Sequence, residues 1–364
     1  MLREINDRSA GLQRLRTDGT RSKGIFLGGL ALALCLFGAS PEAPQEIRDN
    51  EGFLVGVLLK NLALKERMAS DIPASDRELQ TSERIFLEAE SRMTTATETH
   101  NTQAAWDARG PLDKARSDLK KLRQARTRLD QAMDRAEAAS AAARSMLLSG
   151  RSQGSPIPIC GLVSLHSGKA KILKKNGNEV GLDAGRPRFI EPGEEVMTMG
   201  SSLADVQILN GRATVLLDER SRLKLDEDDP QNQALRIVHG KIYCAVDKRD
   251  EFAGLLQSGG AGPEADPKLE EAVARARGRI QTLTDQGFTL RAPNVCVAVT
   301  SARFAVELIK SGAAEISVLE GTVEAGDAEC SRRVPVEEGF KVRVSKEGVS
   351  EPKKAPDVDK WWEK

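Results

Sequence analysis

The hydrophobic period changes once along this chain, near residue 154, and that change divides it into a helical part and a strand part. Residues 46–148 contain no glycine between Gly56 and Gly110 and are rich in Ala, Leu, Glu, Arg, Lys and Gln, which are strong helix formers. After Gly154, short segments alternate apolar and polar residues between glycine turns. The pattern therefore predicts an α+β multidomain protein with a helical part followed by an all-β part.

The helical part, residues 46–148, is predicted to form a stalk whose apolar side chains need a partner helix. Pro73 and the pair Gly110-Pro111 predict helix breaks, with a capping-box start at Ser75. The a and d positions of one heptad frame are Leu112, Ala115, Leu119, Leu122, Leu129, Met133, Ala136, Ala143 and Leu147. The partner is either the preceding helix folded back as a hairpin or the same helix of another chain in a coiled coil, and the second alternative predicts a homo-oligomer.

The strand part, residues 154–350, predicts half-buried antiparallel strands. Alternation is clear at residues 171–174, 222–225, 315–318 and 340–344, and Asn210-Gly211 predicts a hairpin turn. We expect a sandwich or a short β-solenoid, with one inserted helix over residues 266–286 that begins at the N-cap Asp266. The Pro-containing linker around residue 156 predicts that residues 154–364 fold alone, and residues 351–364 form a tail.

An uncharged segment at residues 24–40 follows a basic flank and predicts a membrane anchor. Its length suits a short transmembrane helix, and the positive-inside rule places residues 1–23 in the cytoplasm as a stub. Signal peptidase sites are poor, because Ala39 has Phe37 two residues before it, so an uncleaved signal anchor is expected. We expect a single-pass protein of the inner membrane with the bulk of the chain in the periplasm or another extracytoplasmic space.

The composition gives no support to catalytic, metal or nucleic-acid chemistry. The 54 Lys plus Arg residues balance 54 Asp plus Glu residues, which argues against a generally basic nucleic-acid binder. Five Cys and three His residues show neither a C-x-x-C pair nor an H-E-x-x-H run. We therefore predict a protein that is not an enzyme and that has no catalytic, cofactor-binding or metal-binding residues.

Three further groups of residues are candidates for structural or binding roles. Cys160, Cys244, Cys296 and Cys330 can form disulfides of open connectivity, although isolated buried thiols fit Cys244 and Cys296 as well. Trp361 and Trp362 either pack back on the β part or contact a partner. The stretch from Arg109 to Arg128 holds eight basic and two acidic residues without an aromatic residue between them, which favours a solvated helix face over a polyanion site.

Short motifs follow one another in a characteristic order along the β part: Gly168, residues 192–196, Thr198, Ser202, Ala204, Asn210-Gly211, Ser221, and residues 235–246, 288–293, 303–306, 318–323 and 338–340. This serial order resembles that of the FecR family, the extracytoplasmic domain of ferric-citrate-type regulators. Ser301-Ala302 stands where the family has Gly-Thr, and the inserted helix is a second departure. The resemblance implies a role in signalling, but residues 1–23 are too short to form the family's cytoplasmic domain that acts on a sigma factor.

Together these features predict a membrane-anchored, non-enzymatic envelope protein. Its FecR-type β domain would serve signal transduction or scaffolding by binding a protein or polysaccharide partner, and not nucleic acid. The alternative is a periplasmic adaptor-like component of a transport or secretion assembly. The order of the segments argues against that alternative, because a β segment normally precedes the helical hairpin in such adaptors.

Overall fold

The structure is a computed structural model that describes residues 45–149, 160–226, 235–260, 266–281, 288–309, 312–355 and 361–363. The predicted stub 1–23, the predicted membrane segment 24–40 and the linker at 154–158 lie outside these ranges. None of the helices in the described part is both long enough and apolar enough to cross a membrane. The predictions of a transmembrane helix and of a single-pass inner-membrane protein are corrected by this finding, because the two long helices that are described carry many charged residues.

Two long helices form an antiparallel hairpin at the start of the described chain. Helix α1 spans Gln45–Glu98 and helix α2 spans Thr102–Leu148. His100 has a positive φ of 50° in the connection, and the Asn101 side chain caps α2 by accepting a hydrogen bond of 3.0 Å from the Ala104 N–H. Ion pairs join the helices between Glu83 and Arg123 at 2.9 Å and between Asp76 and Arg126 at 2.8 Å.

The hairpin differs from the predicted stalk in where its helices end. Pro73 and Pro111 both lie inside helices, so the breaks predicted at Pro73 and Gly110-Pro111 and the start at Ser75 are wrong. The heptad positions of α2 are buried or half-buried, and α2 packs on α1 of the same chain. The helical part is thus an intramolecular hairpin beside a larger β part, and the prediction of a coiled-coil protein is corrected accordingly.

The remaining described elements are short strands and two short helices. The strands are β1 Gly161–Ser167, β2 Ala170–Leu173, β3 Glu179–Leu182, β4 Arg188–Ile190, β5 Glu195–Thr198, β6 Leu203–Ile208, β7 Ala213–Leu217, β8 Arg222–Leu225, β9 Leu235–His239, β10 Lys241–Val246, β11 Phe288–Ala292, β12 Val295–Val299, β13 Ala302–Leu308, β14 Ala314–Gly326, β15 Arg333–Glu337, β16 Phe340–Ser345, β17 Gly348–Val349 and β18 Lys353–Lys354. The helices are α3 Arg249–Ser258 and α4 Pro267–Arg277, and a 3-10 turn covers Trp361–Glu363.

The strands form two sheets that β14 joins into one network of 18 strands. Sheet A runs β4-β1-β6-β7-β10-β13-β14-β16, with β17 and β18 on β16. Sheet B runs β3-β2-β5-β8-β9-β11-β12-β14-β15, and in it β9 and β11 pair in parallel. Strand β14 bends at Gly321, whose φ is 79°, and passes from sheet A to sheet B. The predicted choice between a sandwich and a solenoid is therefore replaced by two sheets that share a strand.

The inner faces of the two sheets share one aliphatic core. Val206 and Ile242 of sheet A are fully buried in it with Ile172 of sheet B, and Leu290 and Phe304 belong to the same cluster. Full burial of one such side chain stabilises a fold by roughly 1.5–3 kcal/mol relative to exposure. This core explains why strands that alternate along the chain between the sheets hold together.

A second core lies outside the sheets and joins the hairpin to the β part. Phe53 to Leu59 of α1 pack against Leu162 of β1, against α3 and α4, and against Ala139 and Ala143 of α2. The insertion holds two helices in place of the single helix predicted at 266–286; α4 does begin after Asp266, which accepts a hydrogen bond of 2.8 Å from the Lys268 N–H, but it ends at Arg277. The hairpin, the insertion and the β part therefore belong to one packed unit.

Candidate functional site

The base of the hairpin contacts sheet A around Gly56, Lys60 and Asn61 of α1, and we call this contact the seat of the hairpin. It depends on two glycines. A Cβ atom added at Gly56 of α1 would lie 1.8 Å from the Asn210 carbonyl oxygen, in the β6–β7 connection. A Cβ atom added at Gly211 would lie 2.9 Å from the Gly56 carbonyl carbon, and Gly211 has a φ of 83°. The backbone of α1 therefore lies directly on this connection, because Gly56 and Gly211 place no side chain between the two segments.

Polar contacts next to the glycines fix the angle at which α1 leaves the sheet. The Asn61 amide donates a hydrogen bond of 2.9 Å to Gln207 Oε1, and these side chains are 2% and 8% exposed. Lys60 Nζ forms an ion pair of 2.8 Å with Asp247. A buried amide that loses its partner costs about 1–3 kcal/mol, so the pair resists sliding of the hairpin along the sheet.

A histidine and an aspartate meet beside this seat in a way that the sequence did not indicate. His166 Nε2 lies 2.7 Å from Asp205 Oδ1, and β1–β6 pairing places Ser164 directly opposite Asp205. The nearby Arg135 of α2 has its pKa lowered by burial, which the Asp205 carboxylate opposes. Only the register of two distant strands brings these residues together, so no local pattern could have predicted the pair.

This group does not form a hydrolytic site in the described part of the chain. No hydrogen bond joins Ser164 to His166 within the described residues, and the Ser164 side chain is 6% exposed, so a substrate could not reach it. The described residues likewise contain no group of three or more His, Cys, Asp or Glu side chains placed to hold a metal ion. His166 is thus held by Asp205 of the neighbouring strand, whereas His239 ends strand β9.

One concave surface on the hairpin is a groove between α1 and α2. Its volume is about 570 Å³. It is lined by Phe86 of α1 and by eight residues of α2: Arg116, Leu119, Lys120, Arg123, Gln124, Thr127, Arg128 and Gln131. Four of these side chains are basic, and none of the lining residues described is acidic. The basic stretch predicted from Arg109 to Arg128 thus faces a shaped surface over part of its length.

The basic side chains of the groove differ in whether they form an ion pair with a carboxylate. Arg123 pairs with Glu83 at 2.9 Å. Neither Arg116 nor Lys120 has a hydrogen-bond or ion-pair partner within the described part of the chain. On another face of α2, Arg126 contacts both Asp76 and Asp130, and these contacts raise its pKa. The groove therefore retains positive charge, whereas the other face is neutralised.

Of the four candidate cysteines, the structure brings together one pair. Cys296 of β12 and Cys330, in the turn before β15, form a disulfide with a Cα–Cα distance of 5.4 Å. Cys160 and Cys244 are free thiols. Burial raises the pKa of both thiols, and the nearby Glu194 raises that of Cys160 further. Both thiols therefore remain protonated and unreactive at neutral pH.

The two C-terminal tryptophans pack on the β part. Trp361 is 6% exposed. Trp362 stacks on Tyr243 of β10 with ring centroids 4.5 Å apart, and the two tryptophan rings meet edge to face at 5.6 Å. Of the two roles proposed from the sequence, this geometry corresponds to packing. Strand β18 also places Lys353 and Lys354 of the predicted tail in sheet A.

Comparison with known proteins gives a weak structural likeness and no match in sequence. Two solved structures, at 1.65 Å and 2.50 Å resolution, of a Parabacteroides distasonis ATCC 8503 protein provisionally described as an anti-sigma factor match with TM-scores of 0.29 and 0.30 and sequence identities of 15% and 14%. The match covers 44% of this chain and 59% of the length of each of those chains. No family model and no curated protein matches this sequence.

Proposed function

We propose that this chain is a non-enzymatic binding protein that acts in signal transduction or scaffolding by holding a protein partner on its helical hairpin. The observation that carries this proposal is the form of the hairpin beyond its seat. Residues 69–131 are largely exposed and pack as two helices only. A span of this kind is about 45 Å long at 1.5 Å per residue, which gives a large surface that the β part does not cover.

Exposed apolar side chains on the hairpin support the proposal. Ile85, Leu87 and Trp106 are 51%, 61% and 69% exposed, and the Arg109 guanidinium lies 5.9 Å from the Trp106 ring centroid. Single exposed apolar residues are ordinary, but three large ones on the exposed length of one hairpin provide apolar area that a protein partner can cover. Aromatic and arginine residues are also enriched among those that contribute most to binding at interfaces.

The seat of the hairpin supports a scaffolding or signalling use of the same surface. Gly56, Asn61 and the core residues of α1 hold the hairpin on sheet A. A load on the hairpin would therefore be transmitted to the β part instead of being absorbed by a hinge. The sequence resemblance to the FecR family supports a signalling role for the β part, and the hairpin provides a separate contact surface.

Site-specific photocrosslinking in cells tests the proposal. A photoreactive amino acid at Leu87 or Trp106 should capture one and the same protein partner. The matched control is Val238 of β9, which is 40% exposed on the β part and should not capture it. Equal capture at Val238, or no adduct at either hairpin position, would contradict the proposal. Adducts made only of this chain would contradict partner binding and would indicate a homo-oligomer.

A further inference from the structure

We propose that the groove between α1 and α2 binds an amphipathic helix of the partner protein, with Asp and Glu side chains along the flanks of that helix. This inference rests on the proposed function, because it assigns a chemical class to the partner that the hairpin holds. It concerns the residues of the groove, and not the exposed Trp106 near the turn of the hairpin.

The shape of the groove fits a helix. Its lining on α2 runs from Arg116 to Gln131, which corresponds to a length of about 22 Å, or roughly four helical turns. It lies between two packed helices, where the ridges of a third helix can fit. A globular surface loop would need a rounder cavity, whereas an elongated groove with helical walls suits an elongated occupant.

The floor of the groove is apolar. Phe86 of α1 and Leu119 of α2 are the apolar residues that line it, and Ile85 and Leu87, the chain neighbours of Phe86, are themselves exposed. The aliphatic stems of the arginine and lysine side chains add to this surface while their charged heads reach solvent. An occupant must therefore bury apolar side chains, which nucleic-acid and polysaccharide chains offer less well than an amphipathic helix does.

The rim of the groove selects for negative charge on that helix. Arg116 and Lys120 have no partner within the described residues, and Arg123 keeps donors beyond those used by Glu83. An ordinary solvated helix face carries both signs, as Arg126 does with Asp76 and Asp130. The groove lacks carboxylates among its described lining residues, so acidic flanks on the occupant would complete the missing ion pairs.

Binding of designed peptides to the full chain, measured by fluorescence anisotropy, tests this inference. The probe is a helix-forming peptide of about 18 residues with Leu at i, i+3, i+4 and i+7 spacing and Glu on both flanks. One comparison peptide has Lys in place of every Glu, and another keeps Glu but has Ser in place of every Leu. We expect the first peptide to bind at least about tenfold more tightly than either comparison peptide.

Variants of the chain locate the binding in the groove. The double variant Arg116→Glu with Lys120→Glu should weaken binding of the first peptide by roughly tenfold or more, and Phe86→Ala should do so through the apolar floor. The matched control, Lys114→Glu with Lys121→Glu, makes the same charge change on the same helix outside the groove and should leave affinity within about twofold. Circular dichroism checks that each variant keeps its helix content.

Several outcomes would overturn the inference. Equal binding of the Leu-free peptide would mean that the hairpin attracts any polyanion. Equal loss in the control variant would mean that net charge, and not the groove, drives binding. Absence of peptide binding together with partner capture at Leu87 and Trp106 would overturn this inference while the proposed function stands. Peptide binding without capture would support the groove and contradict the proposed role in cells.

Discussion

At the scale of single residues, the contact between Gly56 and the β6–β7 connection has the least room for change. Both partners of this contact are backbone, because Gly56 and Gly211 lack side chains and Asn210 contributes its carbonyl group. Backbone atoms cannot move aside without shifting a helix or a strand. Small changes at this position should therefore propagate through the whole seat of the hairpin.

Gly56→Ala should destabilise the protein by about 2–4 kcal/mol, because the added methyl group overpacks a contact between two backbones. The matched control is Gly110→Ala in α2, where an added Cβ meets nothing within 4 Å. That change should stabilise the hairpin by roughly 0.5–1 kcal/mol, because Ala loses less conformational entropy in a helix than Gly does. Urea unfolding of both variants measures the difference, and equal effects of the two substitutions would contradict the role of Gly56.

The buried thiol of Cys244 gives a prediction for alkaline pH. Burial raises its pKa above the ordinary value of 9.0 in the folded state, so the unfolded chain loses this proton at lower pH than the folded chain does. The stabilisation is therefore complete below about pH 9 and is lost progressively as the pH rises above that value. Cys244→Ala should remove this part of the alkaline loss.

The measurement compares the free energy of unfolding of the wild type and Cys244→Ala at pH 7 and pH 10. The variant is expected to be less stable than the wild type at pH 7, because it loses a buried side chain, and the gap should narrow at pH 10. A gap that is constant or widens with pH would show that Cys244 does not titrate differently in the two states.

At the scale of elements, the sequence predicted which segments are helical or extended better than it predicted how they end and pair. Residues 222–225 alternate Arg, Leu, Lys, Leu and form strand β8. The ends of the helices were missed, because the prolines at 73 and 111 lie inside helices that the partner helix supports. The turn falls instead at His100-Asn101, where an αL residue and an N-cap replace the usual glycine signal.

Pairing could not be predicted, because it depends on contacts between residues far apart in the chain. The disulfide between Cys296 and Cys330 follows from β12 lying beside β14, which in turn pairs with β15. The hydrogen bond between Asn61 and Gln207 joins a helix to a strand across 146 positions. The groove is a similar case: the basic stretch is visible in the sequence, but Phe86 of the other helix completes the site.

Pro111 provides a prediction at the same scale. Proline in a helix interior lacks the N–H that would bond to the residue four positions earlier, and it costs about 3 kcal/mol relative to alanine. Pro111→Ala should therefore stabilise the hairpin by roughly 1–3 kcal/mol, which thermal unfolding followed by circular dichroism measures. Leu112→Ala, at the next position, is the control and should destabilise it, because Leu112 is 8% exposed against α1. A loss of stability in Pro111→Ala would mean that the proline sets a bend that the hairpin needs.

At the scale of the whole molecule, the hairpin has two parts with different roles. The base, with Phe53 to Leu59, completes a core with α3, α4 and Leu162, whereas the distal part packs as two helices only. The second core bears on the sequence expectation that residues 154–364 fold alone, because that fragment lacks α1 and α2. Its insertion helices would expose Phe252, Leu256 and Val273, which are all buried in the intact protein.

Two truncations separate the base of the hairpin from its distal part. The first removes residues 76–127 and joins the shortened helices with a Gly-Ser linker of about four residues; it keeps the seat and the second core. The second retains only residues 150–364.

We expect the first protein to unfold cooperatively at nearly the same urea concentration as the full chain, while the second binds a hydrophobic dye and loses several kcal/mol of stability. Because the shortened protein lacks the groove, it should also fail to bind the acidic amphipathic peptide. A fully stable 150–364 fragment would contradict the second core, and peptide binding by the shortened protein would place the binding surface outside the distal hairpin.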